Sequence, residues 1–149
     1  MGMLTPDMRR VVERELGFVA TVRPDGSPNL SPKGTIAVWD DDQLIFADLR
    51  SPGTVENLRT NPRLEVNVVD QLVRKGYRLE GTAIVHTEGR EFERGVAFYE
   101  QRRLALARDR IRSIVVITVE RVTPVTSPAY DLGATEDELR AIYRERLLS

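Results

Sequence analysis

The spacing of apolar residues changes repeatedly along the chain, and each change predicts a new element. Apolar residues recur at helical spacing between Met8 and Leu16, which predicts an amphipathic helix with one face packed inward. Thr5 is suited to cap the start of this helix, and Gly17 is suited to end it. The pattern therefore predicts a short helix ahead of the first strand.

Three segments after this helix are rich in β-branched and aromatic residues, which is typical of strands. Phe18–Val22 and Asn29–Trp39 flank the sequence RPDGSP, whose Pro-Asp-Gly favours a tight turn, so the two segments predict a hairpin. Gln43–Asp48 follows as a third strand. Three early antiparallel strands without crossover helices argue against a doubly wound nucleotide-binding fold.

The rest of the chain alternates between helical and strand patterns. The predicted elements are a helix from Ser51 to about Thr60, strands at Leu64–Val69 and Tyr77–Thr87, a helix from Glu91 to about Arg108, a strand at Arg112–Val122 and a terminal helix capped by Thr135. Six strands and four helices predict one domain, residues 1–149, that is mainly β with peripheral helices. Its expected architecture is a small antiparallel barrel.

Composition narrows the classes of function. The chain has 149 residues, no cysteine and one histidine, His86, so neither a disulfide nor a zinc site is expected. Its net charge of −1 gives no electrostatic case for nucleic acid, and the segment YEQRRLALARDRIR is interpreted as a solvated helix face. No apolar run approaches the ~20 residues of a membrane span, and the first residues lack a signal-peptide pattern, so a cytoplasmic protein is expected.

Two short segments combine backbone amides, hydroxyls and a positive charge. The segment SPKGT carries Lys33 between Pro32 and Gly34, two residues that disturb a strand. The segment SPGT opens a helix, whose first amides lack partners and whose dipole favours an anion. If the second strand lies beside the third, Lys33 faces this helix start and the two segments predict a phosphate site. The alternative is that Ser51 only caps the helix and Lys33 only protects an edge strand.

The order and spacing of these segments resemble the pyridoxamine 5′-phosphate oxidase-like family of flavin-binding split β-barrels. The resemblance covers Gly17 to Asp70 closely, with a VRPDGSP hairpin, a strand with Pro-Lys, a LIFAD strand and a helix ending in NLRTNPR. It continues more loosely through YRLEGTAIV and SPAYDLG. The resemblance implies a six-stranded antiparallel split β-barrel that forms a homodimer and binds FMN at the subunit interface.

The resemblance also implies roles for single residues. Lys33 matches the family's strand lysine, Gly53 and Thr54 match its phosphate loop, and the strand end at Ala47 and Asp48 matches the one that lies against the flavin. The candidate cofactor-binding residues are Asn29, Leu30, Ser31, Pro32, Lys33, Gly34, Ala47, Asp48, Ser51, Gly53, Thr54 and Asn57. The first three of these match backbone positions along the isoalloxazine ring and ribityl chain. No catalytic acid or base stands out, since the nucleophile-elbow, Walker and dinucleotide motifs are absent from the sequence.

The sequence departs from true pyridoxamine phosphate oxidases at the phosphate loop and at the tail. Gly53 and Thr54 stand where those enzymes carry an Arg-Lys pair, and Pro28 stands at their strand arginine. The tail RAIYRERLLS lacks their arginine- and histidine-containing substrate signature. Vitamin B6 oxidation is therefore not supported. Phosphate binding is expected to depend on Lys33, hydroxyls and amides, with Arg50 or an arginine of a partner subunit as further candidates.

Three hypotheses follow for function. The leading one is a homodimeric FMN-dependent oxidoreductase or flavin reductase, with a nicotinamide or other small-molecule reductant. The second keeps the fold and replaces FMN with the deazaflavin F420. The third is a non-catalytic flavin- or haem-binding or regulatory protein. A dimer is also expected because Trp39, Phe46 and Tyr130 are predicted to be exposed on an isolated barrel.

Overall fold

The structure, a computed structural model, describes residues 2–102 and 105–149. Its elements are the helices α1 (Pro6–Arg14), α2 (Pro52–Thr60), α3 (Arg90–Glu100) and α4 (Glu136–Leu148), and the strands β1 (Gly17–Val22), β2 (Pro28–Lys33), β3 (Ala37–Val38), β4 (Gln43–Asp48), β5 (Arg63–Asp70), β6 (Lys75–His86) and β7 (Ser113–Thr126). Short 3₁₀ helices occupy Arg108–Arg110 and Pro128–Leu132. Within the described residues, none of the helices has the length and apolar character needed to cross a bilayer.

All of these strands belong to one antiparallel sheet, in the order β2-β1-β5-β6-β7-β4-β3. The two edge strands, β2 and β3, are joined by residues 34–36 alone. Lys33 and Ala37 therefore lie at most about 15 Å apart. A flat sheet would separate the two edges by six inter-strand steps, or about 29 Å. The sheet must curl into a half-barrel, which brings its edges towards each other.

Local sequence signals account for several boundaries of these elements. The predicted helix starts at Thr5 and Thr135 are confirmed, because each threonine forms a capping box with the residue three positions later. The predicted turn between β1 and β2 is also confirmed. Gly26 has a φ of 87°, and the Asp25 carboxylate accepts the Ser27 amide at 2.9 Å.

The predicted strand Asn29–Trp39 is wrong in one respect, because it forms two strands. Residues 34–36 separate β2, which pairs with β1, from β3, which pairs with β4. Gly34 has low strand propensity and lies at the break, whereas Pro32 stays in β2 opposite Phe18 and has no amide to donate to a further strand. The described chain therefore forms a seven-stranded sheet rather than the six strands predicted.

The helix predicted to reach about Arg108 is shorter than expected. The helix α3 ends at Glu100, and the Leu106 amide donates to the Tyr99 carbonyl at 3.2 Å. Residues 103 and 104, which the predicted helix includes, lie outside the described residues.

Apolar side chains are buried on both faces of β4. Leu44 and Phe46 point into the half-barrel, where they join the main core with Val66. Ile45 and Ala47 point outward and join a second core that α3 covers. Burial on both faces makes β4 a rigid support for the residues at its end.

The prediction that three aromatic residues are exposed is wrong for Phe46, which is fully buried in the main core. The other two are half-buried. The Trp39 ring packs edge-on against Phe98, and the Tyr130 hydroxyl donates to the Val73 carbonyl at 2.5 Å. The alternation along β4 determines that Phe46 faces inward, so it provides no surface for a dimer.

Candidate functional site

Lys33 ends β2 with its ammonium group inside the protein. Alternate residues of a strand face the same side, so Asn29, Ser31 and Lys33 line one face of β2. Only 5% of Lys33 is exposed. Its Nζ donates to the Ser31 hydroxyl at 3.1 Å and to the Thr54 hydroxyl at 3.0 Å. The predicted contact between Lys33 and the start of α2 is therefore present. It arises from the curl of the half-barrel, because β2 does not pair with β4.

No carboxylate of the described residues lies close enough to Lys33 to form an ion pair with it. None of the ion pairs formed within the described part of the chain includes Lys33. Burial lowers the pKa of the Lys33 ammonium, and the more distant charge of Asp48 opposes that shift. Two uncharged hydroxyls accept two of the three N–H bonds of the ammonium. A buried ammonium in these surroundings favours an anion as its further partner.

The start of α2 adds a second source of positive potential beside Lys33. Pro52 occupies the first helical position and has no amide, and the amides of Gly53 and Thr54 have no acceptor within the helix. Ser51 holds the N-cap position, but its hydroxyl makes no capping bond. The helix dipole therefore strengthens the positive potential at this point.

Neither the backbone conformation nor the packing at position 53 requires a glycine. Gly53 does not have a positive φ, and an added Cβ would meet only the Asn29 Nδ2 at 3.8 Å, which is an ordinary contact. Bare backbone at a helix start allows the close approach of a phosphate. The Lys33 ammonium, the two hydroxyls bonded to it, the first amides of α2 and the bare Gly53 together fit a phosphate group.

Asp48 and Asn57 hold the site together through their side chains. The Asp48 Oδ1 accepts the Ser51 amide at 2.8 Å, and its Oδ2 accepts the Ser113 hydroxyl at 3.2 Å. The Asn57 Nδ2 donates to the Thr21 hydroxyl at 3.0 Å and thereby joins α2 to β1. Both side chains are buried and engaged in these bonds. A direct cofactor contact at either residue stays a prediction.

The remaining candidates lie at three other places. Leu30 and Pro32 are exposed on the outer face of β2, and Gly34 is exposed in the link between β2 and β3. Ala47 is buried, and its amide and carbonyl both bond to the Thr35 hydroxyl. The candidates that the structure gathers around the helix start are Asn29, Ser31, Lys33, Ser51, Gly53 and Thr54.

Two residues that hold the link between β2 and β3 are missing from the predicted site. Thr35 bonds to β4 as described, and the Tyr99 hydroxyl donates to the Thr35 carbonyl at 2.6 Å. Thr35 belongs to the SPKGT segment, so its position next to Gly34 could have identified it. No signal in the sequence indicates Tyr99, since it lies 64 residues further along the chain.

The lone histidine lies away from these contacts. His86 ends β6, is half-buried and pairs in register with Ile114 of β7. Throughout residues 2–102 and 105–149, no three potential metal-ligating side chains come together.

Several solved structures share this fold. HupZ of Group A Streptococcus is 32% identical, with a TM-score of 0.74 over 84% of this chain and 96% of the HupZ chain. An FMN-binding protein from Syntrophomonas wolfei is 17% identical, with a TM-score of 0.69 over 83% of this chain and 87% of its own. An F420 reductase is 20% identical, with a TM-score of 0.61 over 80% and 98% of the two chains. At these identities the last two show the shared fold alone.

A relative in sequence is an uncharacterized protein of Methanocaldococcus jannaschii, 31% identical over 88 residues. That match spans 58% of this chain and 58% of the relative, so the chain covers little more than half of the relative's length. The family model described as pyridoxamine 5′-phosphate oxidase matches residues 4–126, which include every strand of the sheet and the residues around Lys33. The chain therefore belongs to the pyridoxamine 5′-phosphate oxidase family.

Proposed function

We propose that the protein is an FMN-binding flavoprotein, a homodimer with the cofactor between its subunits, that acts as a small oxidoreductase or flavin reductase. The observation that carries this proposal is the buried Lys33 ammonium at the start of α2, 3.0 Å from the Thr54 hydroxyl. FMN differs from riboflavin by its terminal phosphate, which is the group that this arrangement suits. Family membership and the fold shared with an FMN-binding protein support a flavin as the molecule that carries the phosphate.

The residues around Lys33 would hold FMN by its phosphate. Lys33 supplies a fixed positive charge. The Ser31 and Thr54 hydroxyls accept from Lys33, so the proton of each hydroxyl is available to donate to a phosphate oxygen. The Gly53 and Thr54 amides add two donors. The flavin supplies the electron-transfer chemistry when bound, while the protein fixes its position.

The side chains around Lys33 are arranged for binding rather than for proton transfer. Asp48 already accepts hydrogen bonds from the Ser51 amide and the Ser113 hydroxyl. Lys33 donates two of its three N–H bonds to the two hydroxyls, which leaves the third for the ligand. This arrangement favours a second candidate function, a non-catalytic flavin- or haem-binding protein. F420 is an alternative cofactor for the leading candidate, because an F420 reductase shares the fold.

The identity of the cofactor is tested by the absorbance spectrum of the purified protein and by mass spectrometry of the ligand released from it. The expected result is an oxidised flavin spectrum and the mass of FMN. A deazaflavin spectrum would support F420 in its place. A haem spectrum without flavin would support the second candidate function and overturn the first.

Turnover is tested by mixing the FMN-loaded protein with NADPH or NADH and following the bleaching of the flavin. A reductase is expected to reduce its bound flavin faster than free FMN is reduced under the same conditions. If neither NADPH nor NADH reduces the bound flavin faster than it reduces free FMN, the result would argue for the non-catalytic alternative.

Substitution of Lys33 tests the phosphate site directly. Lys33→Ala is expected to raise the Kd for FMN by about ten- to hundredfold, because a hydrogen bond to a charged group contributes roughly 1.5–3 kcal/mol. Lys75→Ala is a matched control, since it removes the chain's other lysine, which pairs with Glu136 at 3.1 Å on the surface. Isothermal titration should show unchanged FMN binding for the control. Unchanged binding for Lys33→Ala would rule out the assigned role.

A further inference from the structure

The orientation of Lys33 depends on the link that follows it. Residues 34–36 carry the chain from one edge of the half-barrel to the other, and Lys33 is the last residue before them. The link itself has no place in the sheet ladder. Other contacts must therefore fix its position and, with it, the end of β2.

Thr35 fastens this link to β4 through its side chain. Its hydroxyl accepts the Ala47 amide at 3.0 Å and donates to the Ala47 carbonyl at 3.1 Å. One side chain thus supplies both hydrogen bonds that a paired strand residue would supply through its backbone. Because the regular pairing resumes at Ala37 and Ile45, the hydroxyl extends the contact between the link and β4.

Tyr99 binds the backbone of the same residue. Its hydroxyl donates to the Thr35 carbonyl at 2.6 Å, and only 2% of Tyr99 is exposed. The ring lies in the apolar core beneath α3, where Val96 and Ile114 are neighbours in the same cluster. Burial raises the pKa of the Tyr99 hydroxyl, so the group remains a donor throughout the ordinary pH range. A phenylalanine ring would fill the same apolar space in this core. The role of the Tyr99 hydroxyl is therefore its hydrogen bond to the Thr35 carbonyl.

We propose that Tyr99 is a positioning residue for the phosphate site. It holds Thr35 in place, and Thr35 holds the end of β2 so that the Lys33 ammonium meets the start of α2. Tyr99 thereby determines how strongly the protein prefers phosphorylated FMN to riboflavin, which lacks the phosphate. The proposal rests on the proposed function, in which Lys33 binds the phosphate of a flavin.

The test compares the Kd values for FMN and riboflavin in Tyr99→Phe. The expected result is a fall of about three- to tenfold in the preference for FMN, with riboflavin binding unchanged, because one neutral hydrogen bond contributes roughly 0.5–1.5 kcal/mol. Tyr130→Phe is the matched control. It removes a hydroxyl that donates to a backbone carbonyl, that of Val73, at 2.5 Å, and it is expected to keep the preference of the natural protein.

A pair of substitutions at Thr35 gives the same test without changing Tyr99. Thr35→Val removes the hydroxyl and is expected to lower the FMN preference, whereas Thr35→Ser keeps the hydroxyl and is expected to preserve it. Equal weakening of FMN and riboflavin in Tyr99→Phe and Thr35→Val would reveal a merely structural role and overturn the proposal. An unchanged preference in both variants would overturn it as well.

Inorganic phosphate separates this proposal from the proposed function. Phosphate should raise the Tm of the natural protein more than it raises the Tm of Tyr99→Phe, and this comparison needs no flavin. If the natural protein binds neither FMN nor riboflavin, the flavin function fails, while the phosphate comparison still decides the role of Tyr99. Equal stabilisation of both proteins by phosphate would contradict the role of Tyr99 alone.

Discussion

Lys33 concentrates the chemistry of the site in one buried side chain. Burial lowers the pKa of its ammonium below the ordinary lysine value of 10.5, and the Asp48 charge only partly opposes this. Because a buried cation is costly without an anion, a bound phosphate would relieve that cost. The same group therefore links ligand affinity, pH and stability.

The pKa of Lys33 predicts how FMN affinity changes with pH. A phosphate monoester loses its second proton near pH 6, so above about pH 7 its charge is constant. We expect the Kd for FMN to increase as the pH rises through the Lys33 pKa, because the neutral amine no longer attracts the phosphate. The loss should begin below pH 10.5, the value of an ordinary lysine. Fluorescence titrations with FMN across this pH range measure the change in Kd. The same titrations with riboflavin control for ionisation of the flavin ring.

The stability of the protein without ligand should change in the opposite direction. The Lys33 pKa is lower in the folded chain than in the unfolded chain, so the folded chain binds fewer protons between the two values. The free energy of unfolding therefore rises as the pH increases from the folded pKa towards 10.5. Lys33→Met should remove the Lys33 contribution to both trends. If the variant kept the full pH dependence of FMN binding, another group would be responsible for it.

At the scale of elements, buried hydrogen bonds hold α2 in place, while its N-terminus takes part in the proposed phosphate site. Asn57 joins the middle of the helix to Thr21 of β1, and the Asp48 carboxylate fixes the turn that leads into the helix. The first turn of the helix then lies beside Lys33, which donates to the Thr54 hydroxyl. The helix is thus positioned by buried side-chain bonds, which leaves its N-terminus free to bind.

Gly53 offers a test in which stability and binding change in opposite directions. Gly53→Ala should leave the free energy of unfolding unchanged or raise it by up to about 1 kcal/mol, because alanine favours a helix and its Cβ meets no close neighbour. The Kd for FMN should increase, because the Cβ enters the space that we assign to the phosphate. Urea unfolding and isothermal titration measure the two effects.

Gly26 is the matched glycine for this comparison. It has a φ of 87° in the turn between β1 and β2, so Gly26→Ala should lower stability and leave FMN binding unchanged. A Gly53→Ala variant that binds FMN as tightly as the natural protein would place the phosphate elsewhere.

The elements also show which features the sequence predicts and which depend on the complete sheet. Helix starts at Thr5 and Thr135 and the turn at Gly26 depend on neighbouring residues, so local patterns were sufficient. Pro32 and Gly34 marked a break in the strand, but the pairing of its two halves with opposite sides of the sheet depends on the curl of the whole half-barrel. The contact of Lys33 with α2 was predicted from pairing between the second and third predicted strands, but only Ala37–Val38 of that second strand pairs with β4, so Lys33 reaches the helix through the curl of the half-barrel.

Contacts made across long distances in the chain were the least predictable. Asn57 was assigned to the cofactor because it lies near the phosphate segment, and nothing in the sequence indicated that its side chain bonds to Thr21 of β1. Tyr99 fell within the helix predicted from Glu91 to about Arg108, and its position there gave no indication that its hydroxyl meets Thr35. A sequence pattern indicates which face of an element is buried, but not which polar group it meets there.

At the scale of the whole molecule, the apolar surface available for a dimer differs from the one that the sequence predicted. Phe46 is internal, whereas Leu30 is 67% exposed and Phe18 is 39% exposed. Leu30 pairs with Ala20, and Phe18 pairs with Pro32, so these four residues form a patch on the outer face of β1 and β2. The patch lies on the strand that carries Lys33 on its other face. A dimer formed through it would bring a second subunit close to the site proposed for FMN.

This placement predicts that dimerisation and FMN binding depend on the same surface. Sedimentation equilibrium at micromolar concentration should give twice the protomer mass of 16.9 kDa for the natural protein. Leu30→Asp should shift it towards the monomer, because a charge would be buried in the interface. Ile142→Asp on α4, at a residue that is 56% exposed, should leave the dimer intact. The natural protein should lose FMN on dilution below the Kd of the dimer, whereas a monomer that retained full FMN affinity would place the cofactor within one subunit.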